Sequence, residues 1–131
     1  LRDAPLNGIW EGSGNVICLD VLRAMARNPE AVEVLLDELA ASSGADHRLD
    51  DAITALPKEL ADLDDLEVRA RFVVERLALT LQGSLLVRHA GTGVADAFCA
   101  TRLAADGGRA FGTLPRHTDT RAIIERHRPV A

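Results

Sequence analysis

Apolar positions recur along this chain at three- and four-residue spacing, in blocks separated by short polar or glycine-rich breaks. The first block predicts a helix from Val16 to Arg27. Ile17, Val21, Ala24 and Met25 share its face, and Ser13 or Asn15 caps it. Asn28-Pro29 ends that helix and starts the next, because proline suits a first helical turn. Glu30 and Glu33 then complement the positive end of a helix whose apolar face is Val32, Leu35, Leu36 and Leu39. Ser42-Ser43-Gly44 is a break. A third helix begins near Asp46 and carries Leu49, Ile53, Leu56 and Leu60, with Pro57 expected to bend or interrupt it. Leu63-Asp64-Asp65 turns into the longest helix, roughly Asp65 to His89. Gly91-Thr92-Gly93 closes that helix, and Thr92 is the candidate cap of a fifth running through Ala105. Asp106-Gly107-Gly108 breaks the pattern, and a short tail helix, Thr118 to His127, follows Pro115. No stretch alternates with a strand's two-residue period, and no internal repeat is visible. The pattern reads as all-α, a helical bundle of about five to six helices.

Composition supports this. With 131 residues the chain is about one domain's worth, enough for a single core. Alanine and leucine dominate and aromatic residues make up 3%, which suits packed helices better than a sheet. The most apolar run, Leu77 to Val87, is broken by Thr80, Gln82 and Ser84 and flanked by Glu75, Arg76 and Arg88. It is too short to span a bilayer and reads as the buried central helix of the bundle, so no membrane partner is expected.

Charge and cysteines narrow the chemistry. The formal charge of −5 argues against generic nucleic-acid binding. It is unevenly spread: residues 28–67 hold twelve acids and two bases, a net of −10, while residues 100–131 hold six arginines and three acids, a net of +3. Cys18 and Cys99 lie far apart inside apolar helical patterns, as small hydrophobes of a reduced, cytoplasmic protein do. Neither has a CxxC or Cys/His neighbour, and His47, His89, His117 and His127 lie in separate segments, so no metal site is expected. Asp62 to Asp65 lacks the glycine and closing glutamate of a calcium loop and reads as a solvated turn. No basic-then-apolar leader pattern opens the sequence.

One stretch does not look structural. Residues 7–15, Asn-Gly-Ile-Trp-Glu-Gly-Ser-Gly-Asn, place the Glu11 carboxylate between an indole and a glycine-serine-glycine turn, directly before a helix. Trp10 to Asn15 resembles the Tyr-Glu-Gly-Thr segment of the acyl-CoA dehydrogenases, and Leu1-Arg2-Asp3-Ala4 is similar to that family's arginine-aspartate lead-in. Tryptophan in place of tyrosine, the run Ile17-Cys18-Leu19-Asp20-Val21-Leu22-Arg23 and about a hundred further helical residues narrow the resemblance to the adaptive-response (AidB-type) branch. Val74 to Ala78, Ala95 to Cys99 and Gly108 to Gly112 add later matches.

The resemblance implies a C-terminal fragment of a flavoprotein that oxidises acyl-CoA thioesters between the α and β carbons. Residues 1–27 would be the flavin-site loop and final helix of the dehydrogenase core, and residues 28–131 a helical extension; Leu1 is then expected at a cut rather than a natural start. It further implies FAD as cofactor of the parent and Glu11 as the base that takes the α proton. Trp10 would wall the site. Gly12 would let the backbone approach a ligand, as would Gly14, and Ser13 and Asn15 would hydrogen-bond the cofactor. Serine and asparagine stand where the family has threonine and glutamine, which shortens that reach. Members of the family are generally tetramers, so the parent is expected to be an oligomer and this chain to pair as a dimer through residues 9–27. The adaptive-response branch is also associated with DNA binding through the extension. That alternative would use Arg116, Arg121, Arg126 and Arg128 as a basic edge.

Overall fold

The computed structural model describes residues 13–62, 64–104, 110 and 112–129. Among these, the chain forms six α-helices and no strand: α1 Ser13–Arg27, α2 Pro29–Ala40, α3 His47–Ala61, α4 Ala70–His89, α5 Thr92–Phe98 and α6 Thr120–Arg126. The all-α expectation is met.

Local chemistry accounts for most of the boundaries. Asn28 closes α1, its backbone and side-chain nitrogens donating to the Ala24 carbonyl at 3.0 and 3.3 Å. Pro29 then opens α2 without needing a donor. In the break that follows, Gly44 has φ of 84°, and its amide donates to Asp50 Oδ1 at 2.9 Å. Asp46 caps α3 by accepting from the Arg48 amide at 2.9 Å. Pro57 does not interrupt α3, which runs on to Ala61. The proline ring is exposed, so it does not crowd the core where it replaces one helical donor.

Four sequence expectations shift. The longest helix begins at Ala70 rather than Asp65, because Asp65 has φ of 51°, outside any right-handed helix. Residues 64–69 form turns instead, tied by Asp62, which accepts from Arg69 Nη1 at 2.6 Å and the Asp64 amide at 3.2 Å. Asn15 lies inside α1 rather than capping it. Gly91, not Thr92, caps α5. The fifth helix loosens at Cys99 into a π turn, Cys99–Leu103, in which the Ala104 amide donates to the Cys99 carbonyl at 3.0 Å. Thr101 favours this widening, since its hydroxyl already occupies the Ala97 carbonyl at 2.7 Å.

Helix α4 is central, packed against α1, α2, α3, α5 and the π turn. Its buried residues are Ala70, Val73, Thr80, Gly83 and Ser84, none larger than valine, whereas Leu85 is 42% exposed. A Cβ on Gly83 would fall 3.1 Å from Leu103 Cδ1 and 3.2 Å from Leu49 Cδ1, so the bare backbone lets α3 and the π turn approach together. Leu39, Leu49, Leu56, Val73 and Cys99 fill the core around it. The face of α1 turned inward is Cys18, Leu19, Leu22 and Met25, all half-buried. Of the four residues expected to share the apolar face, Ile17 and Ala24 point to solvent.

Candidate functional site at the start of the first helix

Helix α1 begins immediately after the Trp10-Glu11-Gly12 stretch, which lies outside the described residues. Ser13 is its first residue, and Gly14 and Asn15 are exposed in its first turn. That turn contains no acidic residue. Its backbone amides therefore present the positive end of a 15-residue helix without a carboxylate of their own to compensate it. A guanidinium adds to this field. Arg71, at the start of α4, sets Nη2 2.7 Å from where a Cβ of Gly14 would stand. The missing side chain of Gly14 thus makes room for Arg71. This corner suits an anion, so the donors present fit the pyrophosphate of a dinucleotide better than its uncharged rings.

The four tail arginines are all exposed, and two of them have contacts within the chain. Arg116 precedes α6 and Arg128 follows it, both exposed. Arg121 donates to Glu125 Oε1 at 3.1 Å along the helix. Arg126 sets Nη1 2.8 Å from where a Cβ of Gly91 would stand, packing α6 onto the start of α5. The four histidines are exposed, and His127 Nδ1 lies 2.8 Å from the Ile123 carbonyl. Among the described residues, no three His, Cys, Asp or Glu side chains are grouped to hold a metal ion.

A half-buried ionic cluster went unread in the sequence. Arg48 Nε donates to Asp46 Oδ1 at 2.9 Å, and its Nη2 donates to both Asp46 Oδ2 and Asp96 Oδ1, at 2.5 and 2.7 Å. The Arg48 guanidinium holds the Asp46 carboxyl below the usual carboxylate range, and the Arg48 pKa is raised in return. Beside them Cys99 is fully buried, and its thiol is pushed up to about 11, first by burial and then by the Asp46 charge. Such a thiol is inert near neutral pH, so the cluster is structural. Cys18 is half-buried and, like Cys99, free. Nothing in sequence signals the Arg48–Asp96 contact, since it joins residues 48 positions apart.

Over 107 residues, 82% of its length, the chain is 33% identical to the putative acyl-CoA dehydrogenase AidB of Escherichia coli K12. The chain is similar to an acyl-CoA dehydrogenase of the AidB type. The resemblance drawn from its opening residues is borne out, and the match falls on the C-terminal part of that protein. The aligned region is 19% of the AidB length, so the chain spans about a fifth of this relative. No family model matches the chain, and no solved structure matches it. No helix among the described residues is long and apolar enough to cross a membrane.

Proposed function

We propose that the chain is the C-terminal part of a cytoplasmic, FAD-dependent, acyl-CoA dehydrogenase-like flavoprotein. Residues 1–27 supply one loop and the last helix of its core, and residues 28–131 are an extension. The observation that carries this reading is the AidB similarity over 82% of the chain, together with the Trp-Glu-Gly stretch at the threshold of α1.

In this reading Glu11 removes the α proton of an acyl-CoA thioester. Bound FAD supplies the acceptor for the hydride that leaves the β carbon. Trp10 excludes water beside the carboxylate, which raises its proton affinity toward that of a working base. Gly12 lets the backbone approach the ligand. Ser13 and Asn15 would offer hydrogen bonds to the cofactor, and the amides at the start of α1 would suit its phosphates. One loop is not a site, so the isolated chain neither retains flavin nor turns over acyl-CoA; stoichiometric flavin absorbance after gel filtration would show otherwise. In the full-length parent, Glu11→Gln keeps FAD and slows acyl-CoA-dependent flavin bleaching by about 100-fold or more, the loss typical of a missing general base. Unchanged bleaching moves the base elsewhere.

A second reading makes the extension a DNA-holding or assembly module, with dehydrogenation weak or vestigial. The net +3 of residues 100–131, with Arg116, Arg121, Arg126 and Arg128 all exposed, favours it. Duplex DNA binding by the chain that weakens steeply with salt and with Arg116→Ala and Arg128→Ala supports this second reading.

A further inference from the structure

Helix α6 is seven residues long; among the described helices it packs on α5 alone, and it buries none of its own side chains. A helix this short owes its stability to what it packs against. Ile123 turns toward the start of α5, where it lines a small cavity with Gly91 and Arg126, but Ile124 stands 63% exposed. Arg121 lies one turn before Ile124, and Arg128 follows in the turn that closes the helix, both exposed. The tail thus carries an isolated apolar knob among cations.

A groove of complementary character lies elsewhere in the fold. Leu22 and Met25 of α1, Val32 of α2, Leu60 of α3 and Leu66 of the following turn line an apolar recess of about 360 Å³, with Glu33 on its wall. Past Met25 and Val32 it continues into a second recess of about 240 Å³. Its surroundings are acidic: Glu30 precedes Glu33 on α2, and Asp65 and Glu67 flank Leu66, all exposed. The groove and its rim draw mostly on residues 28–67, which carry a net of −10. Helix α6 touches neither α1, α2 nor α3, so with α6 on α5 a chain does not fill its own groove.

We propose that the chain pairs by seating the tail helix of each copy in the groove of the other, Ile124 entering beside Met25 and the tail arginines facing the acidic rim. Charge selects this arrangement. The tail's net of +3 is attracted to the −10 segment, whereas contact between two acidic faces would be repulsive. Two-fold symmetry makes the seat occur twice in one pair. Val16 and Ile17 lie outside the groove and remain a separate contact of the same pair. The arginines that would hold DNA are then turned to a second copy instead.

Met25 is the single methionine of the chain, so a carbon-13 label on its methyl group reports the groove alone. The test follows that signal and the sedimentation of the chain as its concentration is raised, for wild type, Ile124→Asp and Glu33→Arg. In wild type the Met25 methyl should move as the mass doubles. Each variant should weaken pairing by about tenfold or more and leave Met25 near its monomer position. Both substituted residues are exposed, so melting temperatures should match wild type and separate lost pairing from lost folding. Mixed together, the two variants should pair more tightly than either alone, because a mixed pair keeps one intact seat. Raising salt from about 0.05 M to about 0.5 M should weaken wild-type pairing, since exposed charges are screened. Undiminished pairing of Ile124→Asp overturns the proposal, as does a Met25 methyl that stays fixed while the wild type pairs. Arg116→Ala and Arg128→Ala chains that lose duplex DNA but pair as wild type assign the basic face to DNA and overturn it too.

Discussion

Arg48 reaches from the first turn of α3 to Asp96 on α5, and the same guanidinium grips Asp46, the residue that caps α3. Side-chain exposure is 16% for Arg48, 14% for Asp46 and 47% for Asp96, so the three bonds are of unequal worth. Removing Arg48 strands the Asp46 carboxylate in a largely dry setting. Arg48→Met should therefore lower unfolding stability by about 3 kcal/mol, as breaking one side of a buried pair does. Asp96→Asn leaves the Arg48–Asp46 fork in place and should cost about 1 kcal/mol or less. Denaturant unfolding of the two variants checks the order; equal losses would contradict it.

Stability should fall at both ends of the pH scale for separate reasons. The Asp46 pKa is lowered in the folded state, so its contribution is complete above the ordinary carboxylate value of 3.8 and is lost as pH drops through the lowered folded value. The Cys99 pKa is raised from 9.0 to about 11, so its contribution is complete below 9.0 and declines as pH climbs toward 11. In melting temperatures measured across pH, Cys99→Ala should flatten the alkaline limb alone, whereas Asp46→Asn should flatten the acid limb and also soften the alkaline one, because the Asp46 charge helps to raise Cys99.

At Gly83 the leucine methyls of α3 and the π turn already stand 3.1–3.2 Å from the place of a Cβ. Gly83→Val adds bulk against the fully buried Leu49 and the half-buried Leu103, and both must shift to admit it. A destabilisation of about 2 kcal/mol or more is expected, read as a lowered midpoint in urea. Gly93→Ala serves as control, because nothing lies within 4 Å of a Cβ there.

Helix α1 leaves Val16 and Ile17 55% and 58% exposed on its outward face. An apolar face of this kind favours a partner, and residues 9–27 are where the chain should pair with itself by a two-fold contact. Light scattering at micromolar concentration should give a dimer mass for wild type and a monomer for Ile17→Glu. That substitution sits on the solvent side and leaves the core untouched. A wild-type monomer, or an Ile17→Glu dimer, removes the idea.

Much of this was legible in order along the chain. Helices have local causes, and Pro29, Gly44 and the Asp46 cap act through neighbours only a few residues away. The all-α class and the approximate spans therefore follow from spacing and turn chemistry, and the family resemblance follows from the residues around Glu11. Those residues also carry the proposed site, and Trp10, Glu11 and Gly12 lie outside the described region. Tertiary packing decided what no local pattern carries. It turned Ile17 and Ala24 of α1 outward because Cys18, Leu22 and Met25 face the neighbouring helices, and it put Thr80, Gly83 and Ser84 of α4 at the core because five neighbours crowd one helix. It delayed α4 to Ala70 through the left-handed Asp65, and it widened the end of the fifth helix where the Thr101 hydroxyl occupies a carbonyl. The pairs Arg48–Asp96 and Arg71–Gly14 belong to the same class. Each joins residues about fifty positions apart, and such a meeting depends on where whole helices lie, which hydrophobic periodicity along one helix cannot specify.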